Sequence, residues 1–87
     1  MKMIKWSYSK RNHIRASFDH YPHTLFIFRR IRGYYFAYTM DWSGEDPPVL
    51  KEDLEKMELL LNRELGSEEQ YLARGASRNI GDGPGMP

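Results

Sequence analysis

Hydrophobic and polar positions alternate with a period of two through the first 42 residues, and from Val49 onward the apolar residues recur at helical spacing. The chain therefore reads as strands followed by a helix. The densest stretch is Leu25 to Trp42, LFIFRRIRGYYFAYTMDW, two strands folded back on each other at a turn near Arg32-Gly33. In its first half Leu25, Ile27 and Ile31 fall on one face, with Phe26, Phe28, Arg30 and Arg32 on the other. In its second half Tyr34, Phe36, Tyr38, Met40 and Trp42 share a face opposite Tyr35, Ala37 and Thr39. A slip of one residue at the turn exchanges the faces of this last strand, so two registers fit the pattern. Both faces are apolar or aromatic, and a single helix covers only one.

Upstream, Met3 to Lys10 places Ile4, Trp6 and Tyr8 opposite Lys5, Ser7 and Ser9. A second strand from Ile14 to about His20 sets Ile14, Ala16 and Phe18 against Arg15, Ser17 and Asp19. Tyr21-Pro22-His23 reads as an interruption, because proline cannot donate to a central ladder. The short connections leave no room for parallel crossovers, so the strands form an antiparallel meander.

After a loop from Ser43 to Pro48, Asp46 is the expected cap, with Pro47 or Pro48 in the first turn of a helix from about 48 to 65. Leu50, Leu54, Met57, Leu61 and Leu65, widened by Leu60, form its inward stripe, and Glu52, Asp53, Glu55, Lys56 and Glu58 face away. Gly66 stops it. Ser67-Glu68-Glu69-Gln70 has the form of a capping box for a short second helix to about Arg74, closed by Gly75 and burying Tyr71 and Leu72. Residues 76–87 hold little that is apolar and several breakers, which predicts a flexible tail. The expectation is an α+β fold in one domain over residues 1–75. A three- or four-stranded antiparallel sheet from 2 to 42 is covered on one face, the side of Ile4, Ile14, Phe18, Leu25 and Ile27. Phe26, Phe28, Arg30 and Arg32 then stay open beside Lys5 and Arg15.

Charge sharpens this picture. The net charge is only +1, yet residues 1–42 hold eight Lys or Arg against Asp19 and Asp41, while residues 43–87 hold five against ten acids. Eleven of the twelve aromatics also precede residue 43. A basic, aromatic sheet beside an acidic helix suits an anionic partner, either nucleic acid or the acidic face of a protein. The chain has no cysteine, which removes disulfides and thiolate metal sites and favours a cytoplasmic setting. It has no signal-like apolar run at its start and no membrane-length apolar stretch.

Arginine forks grip phosphate or carboxylate, and rings on a sheet stack on bases. The candidate partner-binding residues are accordingly Lys5, Arg15, Phe26, Phe28, Arg29, Arg30, Arg32, Tyr34 and Tyr38. The stretch Arg32 to Tyr38, RGYYFAY, shares letters with the RNA-recognition-motif consensus, but Tyr35 and Ala37 depart from it and no helix precedes the strand, so it assigns no family. His13, His20 and His23 fall short of a zinc ligand set with no cysteine to help, and no metal or cofactor is expected. The opening MKMIKWS resembles the first strand of small ribonuclease toxins, whose two following helices have no counterpart in residues 10–24. No nucleophile elbow, phosphate loop or paired-carboxylate motif is present. The expected function is a non-enzymatic binding or inhibitor protein, of the phage or mobile-element type, that engages nucleic acid or a protein complex handling it. A direct DNA- or RNA-binding module and a toxin-type ribonuclease are the alternatives, and a homodimer is a further way to cover the second sheet face.

Overall fold

The computed structural model describes residues 1–74. It contains β1 (Met3–Lys10), β2 (His13–Phe18), β3 (Tyr21–Ile31), β4 (Tyr34–Asp41) and α1 (Lys51–Glu64), followed by a short helix, α2, over 68–74. The expected stop at Gly75 and the tail 76–87 lie outside the described residues. The strands form one antiparallel sheet in the order β1-β2-β3-β4, an α+β fold with the helices after the sheet.

The β3–β4 hairpin sets its own register. Arg32 and Gly33 both take positive φ, 56° and 85°, the two-residue turn whose twist matches the flanking strands. Ile31 then faces Tyr34, Arg30 faces Tyr35 and Arg29 faces Phe36. Farther along, Phe28 pairs with Ala37 but Ile27 with Thr39, so Tyr38 is an extra residue in a β-bulge. Strict alternation fails there: Met40 joins the face of Tyr35 and Ala37, and Thr39 moves to the face of Phe36.

The helix covers a different combination of residues from the one the alternation predicts. Ile14 pairs with Phe28 and Ala16 with Phe26, so the four share a face, and Ile14, Phe18, Phe26 and Phe28 are all fully buried. Leu25 and Ile27 point the other way and are half-buried, while Ile4 is exposed. The cause is that β3 begins at Tyr21 and runs straight through Pro22. An irregularity in the β2–β3 ladder between Ala16 and Phe18 accommodates the proline, and the β4 pairing begins only at Leu25. Ile4 lies at a second irregularity, which brings Met3 opposite Phe18 instead. The core rings meet edge to face, Phe18 with Phe26 at 5.7 Å and Tyr21 with Phe26 at 5.9 Å.

α1 presses Met57 and Leu61 fully into this core, with Leu54, Leu60 and Leu65 at its margins and Leu50 exposed at its start. Asp46 is no cap; Leu50 occupies the N-cap without a side-chain bond. The Asp46 carboxylate is instead buried, accepting from the His23 N–H at 2.9 Å and the Thr24 hydroxyl at 2.7 Å, which pins the loop to β3. Two of the acids expected in solvent also face inward. Asp53 accepts from the Tyr21 hydroxyl at 2.7 Å, and Glu58 accepts from the Ala37 N–H at 2.7 Å and the Tyr71 hydroxyl at 2.8 Å. Desolvation raises the pKa of both tyrosines, and the neighbouring carboxylates raise it further.

Asn62 makes the closest join between helix and sheet. Its Nδ2 donates to the carbonyls of Tyr35 and Glu58, while its Oδ1 accepts from the Tyr35 N–H and the Ser67 hydroxyl, all at 2.7 Å. Every hydrogen-bonding site of the buried amide is filled. Together Asn62 and Glu58 occupy outward backbone groups of β4 that a fifth strand would otherwise take. Gly66, at φ +81°, lets the chain leave the helix. The Ser67 hydroxyl is thus turned back onto α1, and of the two residues expected to bury α2 only Tyr71 does so; Leu72 is exposed.

Candidate functional site

The face of the sheet away from α1 carries the cations. Cross-strand partners share a face, and the pairing sets His13, Arg29 and Phe36 in one row, with Ser7, Arg15, Ile27 and Thr39 in the next. Lys5 lies one row farther, opposite Ser17. The Arg29 guanidinium sits 5.5 Å from the centre of the Tyr38 ring, and the His13 imidazole meets the same ring edge-on at 5.9 Å. His13 Nδ1 donates to the Arg11 carbonyl at 2.9 Å, which fixes its ring and turns Nε2 away from that turn. The bulge at Tyr38 creates this cluster, because the extra residue swings the tyrosine toward β3 and β2.

Lys5, Arg15, Arg29 and Tyr38 are exposed, with half-buried Leu25, Ile27 and Phe36 between them. Asp41, opposite Leu25, is the only acid in the four strands. Charge on this face is therefore predominantly positive, and its apolar strip is framed by donors. Lys5, Ser7, Arg15, Ser17 and Leu25 border a shallow depression of about 210 Å³.

Of the residues expected to bind a partner, the structure gathers Lys5, Arg15, Arg29 and Tyr38. Phe26 and Phe28 are corrected to the core, under α1. Arg30 lies on the helix side of the sheet, across from Tyr35, and Arg32 lies in the hairpin turn. Tyr34 is half-buried and turned to the β4 edge, its ring 6.0 Å from Tyr71. Alternation alone missed His13, Ile27 and Phe36 as members of the open face. The two-residue turn carries the signal for Phe36, since counting back from Arg32-Gly33 places it opposite Arg29.

The remaining histidines stand apart from this cluster, His20 beside Asp19 at 4.0 Å and His23 beside Glu45 at 3.7 Å. Among the described residues no group of three or more His, Cys, Asp or Glu is placed to hold a metal ion. No helix among them is long and apolar enough to cross a membrane. No curated protein and no solved structure matches the chain. The family model described as uncharacterised protein YuzH matches residues 2–76, a span that takes in the whole sheet and both helices, and the chain belongs to the YuzH family.

Proposed function

We propose that this protein is a non-enzymatic module that binds single-stranded nucleic acid across the open face of its sheet. The observation that carries the reading is the row His13-Arg29-Phe36 with Tyr38 stacked on Arg29, flanked by Arg15 and Lys5 and free of acids except at Asp41. Arg15, Arg29 and Lys5 neutralise phosphates, and Phe36 and Tyr38 offer rings to bases. A strand fits this face better than a duplex, because stacking on a sheet requires unpaired bases. A cytoplasmic setting, which the absence of cysteine favours, belongs to the same reading. The protein's belonging to the inhibitor type rests on the same surface acting as a stoichiometric cover for nucleic acid or for a complex that holds it.

Fluorescence anisotropy with labelled oligonucleotides tests the proposal. Three cations on phosphates predict that log K falls with log salt at a slope of about −2 for single strands. The double substitution Arg15→Glu, Arg29→Glu is expected to abolish binding while the fold persists. Absent or salt-independent binding sinks the reading. If the isolated protein binds no strand but retains one defined protein after nuclease treatment of a lysate, the partner is that protein instead.

A further inference from the structure

We propose a second site on the helix side of the sheet, a pocket around Arg30 that binds the phosphate group of a phosphomonoester. Strand alternation puts Arg30 on the same face as Phe28 and Tyr35, where a core residue is due, yet its side chain is exposed. Its backbone is held firmly, the N–H donating to the Asn12 carbonyl at 2.8 Å in the neighbouring turn. Among the described residues no carboxylate forms an ion pair with it; of the two acids on the nearby α2, Glu68 is engaged by Arg63 at 3.0 Å and Glu69 does not line the pocket. An arginine at the mouth of the core with no acid beside it is a guanidinium fork that is open to a ligand.

The walls of the pocket fit that ligand. Tyr8 from β1, Arg30 from β3, Gly33 from the hairpin turn, and Gly66, Ser67 and Gln70 beyond α1 line it, and none of them is acidic. With the Ser67 hydroxyl committed to Asn62, four lining side chains remain that can donate: the guanidinium, the Tyr8 and Tyr35 phenols and the Gln70 amide. They come from four separate elements, an arrangement that suits the tetrahedral oxygens of phosphate better than the planar pair of a carboxylate. Gly33 lies against Gln70: a Cβ there would make only an ordinary contact with Gln70 Cγ at 3.6 Å, and it is the positive φ that favours glycine. The volume, about 170 Å³, is below the roughly 300 Å³ at which pockets enclose a whole drug-sized ligand. The site therefore takes the head group and leaves the rest of the molecule outside, whether that is a small metabolite or the end of a nucleic-acid strand.

This site is separate from the open face, and its test is separate too. Inorganic phosphate is titrated into the full chain at constant ionic strength while amide signals of Gly33, Gly66 and Gln70 are followed by NMR. Saturable shifts at these positions are expected. Arg30→Gln should weaken the binding about tenfold, Tyr8→Phe by less, and Lys51→Gln, an exposed cation at the start of α1, should leave it unchanged. Glycerol phosphate and a 5′-phosphorylated dinucleotide, each compared with its dephosphorylated form, then identify the source by which one binds more tightly. Shifts that do not saturate, or that persist unaltered in Arg30→Gln with its fold intact by thermal melt, overturn the site. So does equal binding of the dephosphorylated forms.

Discussion

The two faces of the sheet are made by the same strands and differ by one residue of phase. On one side Ile14, Phe18, Phe26 and Phe28 are fully buried beneath Met57 and Leu61, and the buried polar groups at its border are engaged, Asn62 with the Tyr35 backbone and Asp53 with Tyr21. On the other side Leu25, Ile27 and Phe36 are only half-buried, and Lys5, Arg15 and Arg29 stand among them. Desolvation explains the division. A helix laid over Arg15 and Arg29 would have to strip two cations of water with no acid in the strands but Asp41 to compensate, whereas the Phe26 face offers rings and aliphatic groups up to Arg30. Charge on one face thus selects the other as the core.

Paired substitutions on the two faces test this division most strongly. Phe28→Ala should destabilise the protein by about 3–5 kcal/mol in denaturant unfolding, since it opens a cavity beside Ile14 and Phe18. The matched Phe36→Ala should cost far less stability and should instead weaken strand binding by about 1–3 kcal/mol in anisotropy titrations. Equal losses of stability from the two would erase the distinction. Next in size is Asn62→Ala, which strands the N–H and carbonyl of Tyr35 in a buried setting. A loss of about 2–3 kcal/mol is expected, read from the same unfolding curves. Smaller still, Arg29→Gln should leave stability within about 0.5 kcal/mol of the parent while cutting oligonucleotide affinity severalfold.

The smallest effect is on pH dependence. Burial against Glu58 raises the pKa of Tyr71 above its ordinary 10.0, so the folded state favours the neutral phenol. Its contribution to stability is fully present below pH 10 and is lost as pH rises through the folded value. Melting temperature should therefore fall in alkaline solution, and Tyr71→Phe should flatten part of that fall. Unchanged alkaline melting curves would show that the Tyr71 hydroxyl is not held by Glu58.

Much of the architecture can be read from the residues. The order of strands before helix, the Arg32-Gly33 turn, the Leu54-Met57-Leu61 stripe and the stop at Gly66 all have local causes, and each stands where the pattern puts it. The choice of covered face did not follow, because it depends on how β2 aligns with β3. That alignment is set by a ladder irregularity that lets Pro22 remain within a strand. The bulge at Tyr38 is likewise invisible to alternation, and it alone brings Met40 into the core side and Tyr38 over Arg29. Asp53 and Glu58 depart from the expected solvent face for a related reason. Acids on a helix are ordinarily solvated, and only the proximity of Tyr21 and the β4 backbone gives these two partners inside. Of the candidate site, Lys5, Arg15 and Arg29 stay together on the open face, while Arg30 falls on the helix side and Arg32 in the hairpin turn. Phe26 and Phe28 leave the open face, because an aromatic ring in a strand suits a core as well as a binding surface.

The seal that Asn62 and Glu58 place along β4 also limits how this protein can assemble. A sheet propagates from chain to chain only if each copy offers two borders, one to receive and one to extend. Side chains of α1 take the outward groups of Tyr35 and the Ala37 N–H on the β4 border, so among the described residues the border open along its length is β1, and two copies meeting there would offer a third only an interrupted one. Strand-to-strand growth is disfavoured beyond a pair, and the amide that anchors the helix also guards a half-apolar sheet against fibres.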